Sequence, residues 1–314
     1  MKIALASDIH LEFGDINLKN EENAEVLILS GDICTAKVFK KGGYAKKTVL
    51  EFFSRVAFQF PHVVYVMGNH EHYDFDIAKT EETLKCQLGI WPNIHLLEKE
   101  TWEHQGITFV GGTLWTDMNK EDDLTMYHVG RSMNDFQCVI NSNRKLSRKV
   151  PLYAKDAENN YIKDEKGYMI IESYKFKEEN ATWSTQDAVA DHKKMLDYIN
   201  IVTQDKAKSY VAVTHHMPTH KSIAPWYAND TLMNGGFASD LSEFIIDRPQ
   251  IKLWTCGHTH HSHRYYMGET LVVNNARGYI KYEQCAKEFK LKYIDLDNMP
   301  TVETTENDYH WEKI

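Results

Sequence analysis

The chain has 314 residues, 42% of them apolar and 26% charged, with 36 basic side chains against 45 acidic ones and a net charge of −9. This is an ordinary globular composition with material for a large core in one or two domains, and its acidic balance argues against attachment to nucleic acid through non-specific phosphate contacts. Five scattered cysteines without a CxxC pair argue against a disulfide framework or a thiolate zinc site and for a reducing, cytosolic setting.

Residues 2–7 read as a first strand, from which the chain emerges as Asp8-Ile9-His10. The apolar start is too short for a signal peptide and Asp8 interrupts it. No run approaches the roughly 18 apolar residues of a membrane span, so a soluble protein is expected. In extended backbone, Asp8 and His10 would share a face while Ile9 turns into the core. Val26-Leu27-Ile28-Leu29-Ser30 forms a second apolar run, ending in Gly31-Asp32. The basic, glycine-containing stretch 40–47 reads as a solvated turn, and apolar spacing predicts a helix over 46–59. Val63-Val64-Tyr65-Val66-Met67 is a buried strand that stops at Gly68-Asn69-His70-Glu71. A helix near 76–88 and a strand at Ile107-Thr108-Phe109-Val110 follow.

From 118 to 180 the chain is polar and charged, with a hairpin-like segment at 156–167. An excursion of that length reads as a cap or rim on the sheet rather than a second domain. A helix over 184–202, capped by Thr182 or Ser184, returns the chain to the core. Tyr210-Val211-Ala212-Val213-Thr214 then ends in His215-His216, and Lys252-Leu253-Trp254-Thr255-Cys256 ends in Gly257-His258-Thr259-His260. A last apolar run, 270–273, leads to Asn274-Asn275-Ala276-Arg277, and the tail over 299–314 is polar and acidic. The whole reads as one domain of mainly parallel α/β type, whose ligands bind beyond the carboxyl ends of the strands.

The strand ends collect Asp8, His10, Asp32, Asn69, His70, His215, His258 and His260. Carboxylate, amide and imidazole together suit Mn²⁺, Fe or Zn²⁺, and the lack of thiolate disfavours a structural zinc site. Eight such groups are too many for one ion and about right for two sharing a carboxylate, as in sites whose metals lie roughly 3.5–4 Å apart.

In this order, Asp8-Ile9-His10, Gly31-Asp32, Gly68-Asn69-His70-Glu71, Thr214-His215-His216 and Gly257-His258-Thr259-His260 resemble the calcineurin-like metallophosphoesterases, over about residues 1–280. Gly112-Thr113-Leu114-Trp115-Thr116-Asp117, Met133-Asn134-Asp135-Phe136 and Arg277-Gly278-Tyr279 look like a bacterial and phage branch whose substrates are mostly unassigned. The resemblance implies an αββα sandwich of two mixed sheets flanked by helices. It implies one divalent ion on Asp8, His10, Asp32 and His260, and a second on Asp32, Asn69, His215 and His258. A metal-bridging hydroxide would attack the phosphorus in line, with His70 near the phosphate as the proton donor to the leaving oxygen. Some members place an acidic partner for this histidine three residues after the bridging aspartate; here that position is Thr35, which leaves open what orients His70.

His216 reads equally as a substrate contact, a support for its neighbour, or a packing residue. Arg277 is a candidate for phosphate recognition and equally for an ion pair or a surface role, and Arg131, Asn134 and Asp135 could reach over the site. The expected substrate is a phosphorylated small molecule or nucleotide, as mono- or diester. A nuclease of the same chemistry rests only on the basic run 144–149, which otherwise reads as a solvated face. A scaffold that has lost catalysis would have eroded ligands, and none is missing.

Overall fold

The computed structural model describes residues 1–299; the tail expected over 299–314 lies outside the described residues except for Met299. In chain order the strands are β1 (Lys2–Ala6), β2 (Val26–Ser30), β3 (His62–Val66), β4 (Ile94–Leu97), β5 (Glu100–His104), β6 (Ile107–Gly112) and β7 (Ile140–Tyr153). There follow β8 (Ile171–Thr182), β9 (Ser209–Thr214), β10 (Ile251–Cys256), β11 (His263–Met267), β12 (Thr270–Asn274) and β13 (Lys292–Asp295).

Two mixed sheets form the core. The first has the order β13-β1-β2-β3-β4, parallel except for β13 on its edge. The second has the order β11-β12-β10-β9-β6-β5, parallel except for β11 and β5 at its two edges. Alternation along the strands explains the layering. Ile3, Leu5, Ile28, Val64 and Val66 face Phe109, Val211, Val213, Leu253 and Val273 between the sheets. The intervening Ala4, Ala6, Leu27, Leu29 and Tyr65 face outward onto Phe52, Phe53, Val56 and Leu84 of the first helical layer. On the other side Val110, Ala212 and Trp254 pack on Met195 and Ile199. Buried on both faces, these strands carry no polar alternation, which is why they read as continuous apolar runs. Truncating such a residue to alanine costs about 2–5 kcal/mol.

The helices lie close to their expected places, at Gly43–Gln59, Ile77–Leu88 and Thr185–Val202. Ser184 caps the last of these in a reciprocal pair with Asp187. The stretch 40–47 is not an open turn: two helices, Lys37–Lys41 and Gly43–Gln59, meet there, and the positive φ of Gly42 and Gly43 breaks one from the other. The edge strands β4, β5, β11 and β13 were not foreseen, since short strands with one open side lack the long apolar run that marks the central ones.

The 118–180 excursion divides in two. Short helices over 118–138 pack Met118, Val129 and Phe136 on Trp115, Trp183 and Val189. Beyond them β7 and β8 pair with each other as a long antiparallel ribbon, held at its base by a parallel bridge from Ile140 to Asp76, whose carboxylate accepts from the Ser142 N–H (3.1 Å).

Candidate metal centre

The functional side chains sit just past the carboxyl ends of β1, β2, β3, β9 and β10, where the two sheets come together. The segment after β1 is not extended. Asp8 and His10 both have left-handed backbones (φ 51° and 49°), and so do Asp32 and His258 (φ 55° and 70°). Such conformations cost a non-glycine residue about 1–3 kcal/mol and gather at functional sites. Here they are held by bonds between the loops. Asp8 N–H donates to Gly31 O (3.0 Å), His10 N–H to Asp32 O (2.9 Å), and His258 N–H to Asp8 Oδ1 (3.0 Å). A side chain at Gly68 would strike the Asp32 carboxylate, and one at Gly31, itself at φ 85°, would strike the His215 ring.

Two clusters result. In one, Asp8, His10 and His260 converge: the Nε2 atoms of His10 and His260 are 3.1 Å apart, and His260 Nε2 is 3.7 Å from Asp8 Oδ1. In the other, Asp32, His215 and His258 converge around Asn69, whose Oδ1 lies 2.9 Å from His215 Nε2 and 3.1 Å from His258 Nδ1. Asp32 Oδ2 faces both clusters, 3.8 Å from His10 Nε2 and 3.4 Å from His215 Nε2.

The donor set fits divalent ions. Asp8 is fully buried, yet its Oδ2 has no hydrogen-bond partner. The buried carboxylates also act strongly on their neighbours: burial works against a charge on His215, but Asp32 outweighs it and holds the imidazole up to about 10. Metal cations would supply the missing positive charge and leave the imidazoles neutral. The distal nitrogens are already oriented, as ligands of this kind require. His215 Nδ1 donates to Ser30 O (2.8 Å), His260 Nδ1 to Glu283 Oε2 (2.7 Å), and His10 Nδ1 lies 3.2 Å from Glu12 Oε1.

His70 stands at the mouth, its side chain 11% exposed and its ring stacked on Tyr73 at 4.1 Å. Its backbone N–H donates to Asp32 Oδ1 (2.8 Å) and its Nδ1 to Glu12 Oε1 (2.9 Å). Burial lowers its affinity for a proton, but Asp32 and Glu12 more than compensate and lift it to about 9. Glu12 thus stands where Thr35 left a gap. Burial would raise its own carboxyl, but the bonds from His10 and His70 bring it down to about 2.

Other supports escaped the sequence reading. Glu71 is fully buried and accepts from the N–H groups of Ile33 (2.8 Å) and Gly68 (2.7 Å) and from the Tyr65 hydroxyl (2.6 Å), tying two of the ligand loops together. Glu12 continues the every-second-residue series Asp8, His10, and Glu71 follows His70 directly, so both carried a signal. Glu283 carried none, being 23 residues beyond His260.

A cleft of about 690 Å³ opens over both clusters. Asn134 and Asp135 line it, as does a second rim over 223–237 that the sequence did not suggest. Three other candidates lie elsewhere. The Arg277 guanidinium is buried and donates to the carbonyls of Ile9 (2.9 Å), Gly14 (2.7 Å) and Asp15 (3.1 Å). Those contacts fix the loop after β1 and leave it out of the cleft lining, which corrects its reading as a phosphate contact. Arg131 is exposed, packs over the Tyr127 ring at 5.6 Å and does not line the cleft, because it occupies the outer face of its helix. His216 is buried behind His258, between that ring (4.2 Å) and Trp115 (5.0 Å), so it supports the centre rather than facing a substrate. The ribbon, with its basic run 144–149, contributes nothing to the lining.

The family model of the calcineurin-like phosphoesterases matches residues 1–262. Uncharacterized protein L509 of Acanthamoeba polyphaga mimivirus is 25% identical over 317 residues, which cover 93% of this chain and 96% of that protein. Among solved structures, the phosphopantetheinyl hydrolase PptH of Mycobacterium tuberculosis superposes with a TM-score of 0.60 at 14% identity, covering 96% of this chain and 98% of its own. That likeness shows the fold alone. A putative 5'-nucleotidase from Staphylococcus aureus is more distant, with a TM-score of 0.40 at 13% identity, over 87% of this chain and 48% of that one.

Proposed function

The chain belongs to the calcineurin-like phosphoesterase family, and we propose on that premise that it is a two-metal enzyme acting on a small phosphate ester or a nucleotide. As a member it is a metal-dependent phosphoric ester hydrolase. The observation that carries the two-metal reading is Asp32, one buried carboxylate facing two separate clusters of imidazole and oxygen donors. Asp8, His10, Asp32 and His260 would hold one ion, and Asp32, Asn69, His215 and His258 the other. The ions, drawn from Mn²⁺, Fe and Zn²⁺, would supply an activated water for in-line attack and stabilise charge on the phosphoryl oxygens.

The chain's own contribution is clearest at His70. Its Nδ1 proton is committed to Glu12, so the proton it can give up is on Nε2, beside the cleft. As the phosphorus–oxygen bond to the alcohol breaks, His70 Nε2 delivers that proton to the leaving oxygen and Glu12 steadies the ring. Asn69 is held by its own amide, whose Nδ2 donates to the Tyr73 hydroxyl (3.1 Å) and so turns Oδ1 towards the imidazoles.

A nuclease of the same chemistry is disfavoured, because the basic run that suggested it lies on the ribbon, outside the cleft. No helix among the described residues is long and apolar enough to cross a membrane, and five free cysteines favour a reducing, cytosolic setting. The test is hydrolysis of p-nitrophenyl phosphate and bis-p-nitrophenyl phosphate with added Mn²⁺, in the native chain and in Asp32→Asn. Turnover by the native chain, reduced at least about a thousandfold by the substitution, is the expected result, and the ratio of the two rates tells monoester from diester. Equal rates in both proteins would overturn the reading.

A further inference from the structure

The cleft speaks to the alcohol that leaves. A phosphoryl group at the metal clusters would place the rest of the substrate between the 132–135 segment and the 223–237 rim. Neither lysine nor arginine is among the residues that line this space among the described residues. Its carboxylates away from the two clusters are Asp135 and Asp230, with Glu283 behind His260, and His261 stands at the rim. A second phosphate on the far side of the cleft from His70 would therefore meet these carboxylates with no lysine or arginine to answer it, and beside the buried Asp135 such repulsion is poorly screened. Met133, Ile223, Met233 and Phe237 supply apolar wall, and Tyr227 and His261 form a tilted aromatic pair at the rim, 5.8 Å between ring centroids.

Asp135 stands out within this lining. Only 1% of it is exposed; its Oδ2 accepts from the Tyr73 hydroxyl (3.4 Å), while its Oδ1 is buried without a partner. An unpartnered buried carboxylate oxygen is costly, and a donor brought in by a ligand relieves that cost. Resting on the phosphoesterase reading above, we propose that the cleft selects monophosphate esters of uncharged, hydroxyl-bearing alcohols with an apolar or aromatic body. Asp135 accepts a hydrogen bond from the alcohol, and the absence of lysine and arginine from the walls excludes substrates with a second phosphate. Nucleoside monophosphates fit this class; nucleoside diphosphates do not.

The test is a binding titration on full-length, Mn²⁺-loaded His70→Ala protein, so that affinity is read without turnover. The probes are adenosine monophosphate, adenosine diphosphate and phenyl phosphate, which lacks a donor on its alcohol. The monophosphate should bind at least about tenfold more tightly than the diphosphate, a ratio expected of one unanswered charge. Adding the isosteric Asp135→Asn should weaken adenosine monophosphate about tenfold more than phenyl phosphate, the worth of one hydrogen bond to a charged group. Adding Met233→Arg, which places a cation in the wall, should shift the ratio towards the diphosphate. A diphosphate bound as tightly as the monophosphate, or equal losses for adenosine monophosphate and phenyl phosphate in Asp135→Asn, would overturn the proposal. Turnover of p-nitrophenyl phosphate by the native chain is scored separately, so a failed selectivity and a failed phosphoesterase reading give different results.

Discussion

The metal centre and the β7–β8 ribbon are both built from polar residues, yet they differ in what holds them. At the centre, Asp8, His10, Asp32 and His258 keep strained backbones because loops from both sheets are bonded to one another around them. In the ribbon, β7 and β8 pair with each other and are bridged to the rest of the chain at Ile140, while Leu146, Tyr174 and Phe176 stand exposed at 49%, 49% and 72%. A two-stranded ribbon with open faces is marginal by itself. The proposed chemistry therefore sits where the backbone is over-determined, and the ribbon stands apart from it.

That contrast can be broken from either side. The largest effect is expected at His70. Replacing it with alanine should lower hydrolysis of p-nitrophenyl phosphate by about 10²- to 10⁴-fold while metal content, read by mass spectrometry, stays at the native level. Loss of metal along with activity would mean that His70 belongs to the ligand set instead. A smaller loss, about 10- to 100-fold, is expected for Glu12→Gln, which keeps the shape of the side chain and removes its charge. The loss should be greater for an alkyl phosphate than for p-nitrophenyl phosphate, since a poor leaving group depends more on the proton that His70 delivers. Equal losses on both esters would assign Glu12 to the support of His10 alone. The smallest effect is expected in the ribbon. Exchanging 144–179 for a short glycine–serine turn should change turnover of the same ester by less than about threefold. A collapse of activity in a variant that still folds, judged by circular dichroism, would bring the ribbon into the site.

The same contrast explains what could be read from the sequence. The central strands were legible because burial on both faces leaves mostly apolar residues, and three of them, β2, β3 and β10, stop at a glycine followed by ligand-type side chains: Gly31-Asp32, Gly68-Asn69 and Gly257-His258. The spacing of Asp8 and His10 nevertheless predicts the wrong backbone for them. They share a site through left-handed conformations and not through strand alternation. Arg277 was misread because an arginine after a strand has the same appearance whether it meets a phosphate or three carbonyls. Glu283 and the 223–237 rim reach the centre by tertiary packing alone, and no local spacing announces that. The ribbon was invisible for a related reason: strands exposed on both faces carry no hydrophobic period, so only the turn-like 156–167 segment betrayed a hairpin.

The central claim is that one buried carboxylate, Asp32, joins two metal sites. Metal content after dialysis against Mn²⁺, measured per chain by inductively coupled plasma mass spectrometry in the native protein and in Asp32→Asn, tests it most directly. Two ions per native chain, falling below one in the variant, is the expected result. A single ion in the native chain, or two retained in Asp32→Asn, would contradict it.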